Sequence, residues 1–173
     1  DGRKIWLSPD EVTVKRDEKG RALSALETKT GLSVFSGGIT KMSKSKNNGV
    51  DPQTTIDRFG ADTVRLFTMF AAPPEQTLEW SDEGVLGAHR FLRKLWKMVQ
   101  EHVESGQSEP LDKDNLNPKH KDLRRKTHET ILKVSDDFGR RNTFNTAIAA
   151  VMELLNEVAK HNDHSEQTKA TRH

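Results

Sequence analysis

The spacing of apolar and polar positions changes character near residue 40. Before it, apolar residues come in short runs or alternate with polar ones. Ile5-Trp6-Leu7 closes on Ser8-Pro9-Asp10, and Val12 and Val14 alternate with polar neighbours. Ala22-Leu23-Ser24-Ala25-Leu26 resumes the extended pattern, and Leu32 to Phe35 forms a last run. Asp17-Glu18-Lys19-Gly20 and Lys29-Thr30-Gly31 read as turns between them. Short strands punctuated by Gly-containing turns predict a β meander. So small a unit buries little, and it is expected to lean on a larger body.

After residue 50 the period becomes helical. Asp51-Pro52 opens a helix carrying Ile56 and Phe59 and ending at Gly60, with Asp as N-cap and Pro at the first position. Asp62 is the expected cap of the next segment, Thr63 to Phe70, and it also stands where it can pair with Arg65. Val64, Leu66, Phe67, Met69 and Phe70 are dense there and predict a buried helix, ended by Ala71-Ala72-Pro73-Pro74. Ser81 caps a long helix with Val85, Ala88, Leu92, Leu95, Trp96, Val99 and Val103 on one stripe. Trp80 and Trp96 read as core or domain-junction packing. Residues 104–117 read as a polar linker. Asn117-Pro118 starts a helix with Leu123, Thr127, Ile131, Val134 and Phe138 on one face, broken at Gly139. A last helix carries Phe144, Ala147, Ile148, Val151, Leu154, Leu155 and Val158, and residues 161–173 lose the pattern. The fold class is therefore α+β: a small N-terminal β meander, then mainly α with a partial antiparallel helical bundle. Three regions follow: 1–39, 40–80 and 81–173.

Composition narrows the functional classes. The 173 residues carry a net charge of +2, with 31% charged and 32% hydrophobic. Mean hydropathy is −0.80. A near-neutral balance argues against a dedicated nonspecific nucleic-acid binder, although basic clusters occur locally. The absence of cysteine excludes a disulfide framework and thiolate metal sites. No apolar run approaches the ~20 residues of a membrane span, and a cytoplasmic setting is expected. The seven histidines are scattered. His120, His128, His161 and His164 lack the acidic and sulfur partners of a metal site and read as surface residues; no metal site is expected.

One segment carries candidate chemistry. Lys41-Met42-Ser43-Lys44-Ser45 is followed by Lys46-Asn47-Asn48-Gly49 and preceded by Gly37-Gly38. Ammonium groups act as point charges on phosphate oxygens, and hydroxyls and free backbone N–H groups add donors. Such a loop suits a polyphosphate, and its composition predicts little burial. Read alone, such a loop is more often a solvated linker.

The surrounding blocks decide between these. Lys41 to Ser45 resembles the second signature motif of the class I aminoacyl-tRNA synthetases. Asn47-Asn48-Gly49-Val50-Asp51-Pro52, Phe59-Gly60-Ala61-Asp62-Thr63-Val64-Arg65-Leu66 and Thr77-Leu78-Glu79-Trp80 follow in that family's order, leading to Gly87-Ala88-His89-Arg90-Phe91-Leu92. The stretch from Gly139 to Leu154, and the β-rich segment before the lysine motif, are similar to the bacterial leucyl members. The resemblance covers about residues 1–160. It makes residues 1–39 the leucine-specific insert, residues 40–80 the lysine loop with adjoining helices of the catalytic region, and residues 81–173 the start of an anticodon-binding-type bundle. The family's nucleotide-binding fold begins with a His-rich signature that does not occur here, so the chain is read as an internal piece.

The resemblance implies ATP-dependent activation of leucine and its transfer to tRNA(Leu). Lys44 and then Lys41 are the catalytic candidates on the ATP phosphates, with Ser43 and Ser45 adding hydroxyl or loop-shaping bonds. Met42 is expected to pack the loop down, and Gly37, Gly38 and Gly49 to act as hinges. Mg2+ would accompany ATP on its phosphates and waters, and a monomer is implied. Arg140 and Arg141, with Lys133 and Arg124-Arg125-Lys126, fit tRNA phosphates; solvated helix faces are the alternative. Two other readings remain: a stand-alone RNA-binding module, and a class I synthetase for valine, isoleucine or methionine.

Overall fold

The computed structural model describes residues 4–18, 22–38, 40–106 and 110–161. The chain divides into two compact units, Asp1–Pro52 and Gln53–His173.

In the first unit a turn at Pro9–Glu11 leads into β1 (Val12–Arg16), which pairs antiparallel with β2 (Ala22–Glu27). The Glu11 carboxylate accepts from the backbone N–H of Ser8 at 2.9 Å and from its hydroxyl at 3.1 Å, which fixes the entry to β1. Val14 faces Ala25 across the pair, and the register slips between Lys15 and Arg16. The expected meander is reduced to this hairpin. Ile5-Trp6-Leu7 forms no strand, and Leu32 to Phe35 contributes a single bridge, Leu26 to Ser33. The Glu27 N–H donates to the Leu32 carbonyl and the Val34 N–H to the Ala25 carbonyl, so the third run does follow β2. Nothing among the described residues covers it: Phe35 is 93% exposed, and Ala25 is the buried apolar residue of the pair. A strand run without a second layer gains little from extending its ladder.

The second unit is helical. It contains α1 (Pro52–Phe59), α2 (Ala61–Ala71), α3 (Asp82–Glu104), α4 (Pro118–Asp136) and α5 (Phe144–Lys160). Gly60, at φ 84°, makes the corner between α1 and α2 and occupies the N-cap position expected for Asp62. Asp62 instead sits in the first turn and pairs with Arg65 at 2.8 Å. The core joins Phe67 to Val85 and Ala88, flanked by Phe59, Leu66, Leu78 and Trp80. Trp80 meets Phe67 edge-on at 5.2 Å, so it packs as expected. The Ser81 hydroxyl accepts from the Gly84 N–H at 3.1 Å and starts α3. A Cβ at Gly84 would lie 2.7 Å from the Phe67 ring, so glycine is what lets α3 approach α2.

Helix α5 packs against both α2 and α4. Its buried Ala147 and Ala150 permit close approach, and Leu155 and Val158 fill the remaining space. Several sequence expectations give way here. Helix α2 fully buries only Thr63 and Phe67, and Phe70 is exposed. The far half of the α3 stripe is uncovered: Trp96 is 71% and Val103 69% exposed. Ile131 of α4 and Phe138 just beyond it also face outward. The polar linker contributes Leu116 to the interior, and His120 is buried rather than superficial, 6.3 Å from the His161 ring. His164 lies outside the described residues, as do Lys19 and Gly20 of the first expected turn and nearly all of 161–173. Gly139 does not break α4. The helix runs on as a wider π-helical turn, Asp137–Arg141, and ends at Asn142, whose φ of 54° is left-handed.

Candidate functional sites

The lysine loop is exposed, as its composition predicts, yet it has a shape. Lys44-Ser45-Lys46 form a single 3-10 turn with Ser43 before it and left-handed Asn47 after it. Asn tolerates that conformation because its short polar side chain bonds locally. Asn48 ties the turn off. Its Oδ1 accepts from the Ser43 N–H at 2.8 Å, and its amide donates to the Lys41 carbonyl at 3.2 Å. The hydroxyls of Ser43 and Ser45 lie 3.2 Å apart, so the two predicted hydroxyl donors share one side of the turn. The resemblance places Asn48 in the block after the lysine motif but gives it no role. The signal for it is an Asn-Asn-Gly run directly after a cationic turn.

The three lysines differ. Lys46 donates to the Thr40 hydroxyl at 3.2 Å and stands 6.0 Å from the centre of the Trp6 ring. Lys41 and Lys44 are exposed, and among the described residues their ammonium groups have no acid or hydroxyl partner. The two lysines singled out for phosphate are thus the uncommitted ones. Gly38 is at φ 73°, a left-handed position that favours glycine, whereas Gly37 and Gly49 are not. Met42 is 43% exposed and does not pin the loop.

The second candidate lies at the outer end of α4, where Arg140 and Arg141 are both paired. The Arg140 Nε donates to Asp136 at 2.7 Å, and Arg141 donates to Asp137 at 3.3 Å. Asp137 was missed by the sequence reading. It is fully buried, and it accepts from Lys133 Nζ at 2.9 Å and from the Thr146 hydroxyl at 2.6 Å. The Lys133 bond, followed by the Thr146 bond, holds its carboxyl down at a pKa of about 2. The spacing Lys133, Asp137, Arg141 is the signal that could have found it: a carboxylate four residues from a cation on either side. Elsewhere Arg125 pairs with Asp122 and Glu129, and Lys126 with Glu153 of α5. Among the described residues no group of three or more His, Cys, Asp or Glu side chains could hold a metal ion, and no helix is long and apolar enough to cross a membrane.

Residues 29–81, which hold the lysine loop, α1 and α2, match the family of class I tRNA synthetases for I, L, M and V. This stretch is similar to that class. Across nearly its whole length the chain's relatives are leucine–tRNA ligases. That of Chromohalobacter salexigens is 65% identical over 96% of this chain, and that of Marinobacter nauticus 64% identical over 99%. That of Cellvibrio japonicus is 63% identical over 94%. The chain spans about a fifth (20%) of the length of the first two relatives. A crystal structure of the ternary complex of Agrobacterium radiobacter K84 agnB2 LeuRS with tRNA and LeuAMS is similar in fold. Its TM-score is 0.65 and its identity 27%, over 76% of this chain and 17% of that one.

Proposed function

We propose that this chain supplies the lysine loop and the first tRNA-facing helices of a leucine–tRNA ligase. The observation that carries the reading is the pair of uncommitted ammonium groups, Lys41 and Lys44, on a self-tied turn inside the residues that match the synthetase family. In the reaction the leucine carboxylate attacks the α-phosphorus of ATP, and the bond to the bridging oxygen breaks to release pyrophosphate. A terminal tRNA hydroxyl then attacks the acyl carbon and AMP leaves. Negative charge moves onto pyrophosphate in the first step, so cations aimed at the departing phosphates lower that barrier. Lys44 and Lys41 take this role, and Ser43 and Ser45 add hydroxyl donors from one side of the turn. Mg2+ travels with ATP on its phosphates and waters. Residues 1–39 are assigned to the leucine-specific insert, 40–80 to the loop and adjoining helices, and 81–173 to the tRNA-binding bundle. The partners are ATP, leucine and tRNA(Leu), the setting cytoplasmic, the working form a monomer.

The test is leucine-dependent ATP–pyrophosphate exchange. In the full-length ligase Lys44→Ala is expected to lower it about 10²- to 10³-fold, as when one preorganised transition-state donor is lost. Exchange within a fewfold of wild type would remove Lys44 from the site. The described residues hold a single two-stranded antiparallel sheet, without the parallel sheet that positions a nucleotide in such enzymes. The 173-residue chain alone is therefore expected to show no exchange.

A further inference from the structure

Asp137 is a fully buried carboxylate, yet the cations it holds are at the surface. Lys133 and Arg141, one turn before and one turn after it, have side chains 45% and 53% exposed. Lys133 bonds one carboxylate oxygen and Arg141 the other. The Thr146 hydroxyl, from α5, fixes the same carboxylate from the opposite helix. A carboxylate out of water must be paired, so burial here makes the pairing obligatory and fixes where both cations stand. Each spends little on it. An ammonium has three donors and a guanidinium five, which leaves most of them for a ligand. The charge count also suits an anion: two cations on one acid leave one positive charge, whereas Arg140 and Asp136 cancel. The adjoining groove, which Lys133 and Thr146 also line, adds Lys126, Glu129 and Glu153, one cation against two acids, and so does not prolong the cationic corner into a track.

We propose that Asp137 is a positioning residue that holds Lys133 and Arg141 together as a preformed seat for one backbone phosphate of tRNA. The inference rests on the reading that this corner faces tRNA. Binding then orders no long side chain at the moment of contact.

The test compares tRNA(Leu) binding to variants of the full-length ligase across a salt series. Asp137→Asn removes a negative charge beside the seat, so Coulomb attraction alone predicts tighter binding and a steeper salt slope. Positioning predicts the reverse. Affinity is expected to fall about two- to tenfold, as when one or two rotamer-rich side chains must be ordered on binding. Thr146→Val changes no charge, and it is expected to weaken binding in the same direction with the salt slope preserved. Equal or tighter binding by folded Asp137→Asn would overturn the proposal; if that variant does not fold, unchanged affinity with Thr146→Val does so. Arg141→Ala separates the two levels. An unchanged affinity and slope there sinks the tRNA-facing reading itself. Weakening by Arg141→Ala, with neither Asp137→Asn nor Thr146→Val affecting binding, sinks only the positioning role.

Discussion

The lysine loop and the corner at the end of α4 are the two cationic sites proposed to meet phosphate, and they keep their cations in opposite ways. On the loop, Lys41 and Lys44 have no acid among the described residues, and order comes from Asn48 bonding the backbone. At the corner, Lys133, Arg140 and Arg141 are all held by acids, one of them fully buried. On the proposed reading, the difference follows from what each would meet. A phosphoryl group in reaction shifts its charge, so its cations must be free to follow, and a nearby carboxylate would compete for them. A tRNA backbone keeps its charge, so fixed cations lose less entropy on contact. Paired cations give up net attraction and gain placement; unpaired ones do the opposite.

The largest effects should separate the two regions by assay. Lys44→Ala is expected to cost its two to three orders of magnitude in exchange, about the loss of a transition-state donor, with a much smaller change in tRNA affinity. Arg141→Ala should weaken tRNA binding and reduce the salt slope by about one. If both variants lost exchange and tRNA binding in the same proportion, the division of labour would be wrong.

Next in size is stability. Asp137→Ala leaves Lys133 and Arg141 without their acid and should lower the thermal midpoint of the 173-residue chain by roughly 5–15 °C. Acid should do the same to the wild type. The folded carboxyl titrates at about 2 against an ordinary 3.8, so its contribution is present above about pH 4 and is lost as the pH falls towards 2. Asp137→Asn should lack that part of the acid transition. A wild-type midpoint that is flat from pH 4 to pH 2 would show that the carboxylate is not held as described.

Much of this was legible in the sequence, and the strand and burial failures share a cause. Three helix starts marked by local chemistry were placed correctly: Pro52 opens α1, Ser81 caps α3, and Asn117 caps α4, its side chain accepting from the His120 N–H, whereas the cap expected at Asp62 fell to Gly60. Cap chemistry is decided within four residues. Strand and burial expectations failed where they needed a partner. Leu32 to Phe35 and the Trp96 to Val103 stripe have the right period but nothing among the described residues to pack on. Period states which face is apolar, not what covers it. At the sites the lysines announced themselves by charge density, whereas Asp137 hid because one of two adjacent acids near basic residues reads as a solvated side chain until α5 is folded over it.

The smallest predicted effect bears on how free the loop is. Asn48→Ala removes two hydrogen bonds that shape the turn, at Ser43 and at Lys41, and touches neither ammonium group. A net hydrogen bond contributes about 0.5–1.5 kcal/mol, and part of each is recovered from water at so open a site. If ATP meets the turn as it stands, the KM for ATP in exchange should rise about two- to fivefold with kcat nearly unchanged, the signature of lost ordering rather than lost transition-state contact. If the turn must instead be undone before the lysines close on the phosphates, Asn48 holds a resting state and its loss should lower KM. That outcome would sharpen the contrast between the regions. Both would then be preorganised, the corner for its ligand and the loop against it, and the freedom of Lys41 and Lys44 would belong to their side chains alone.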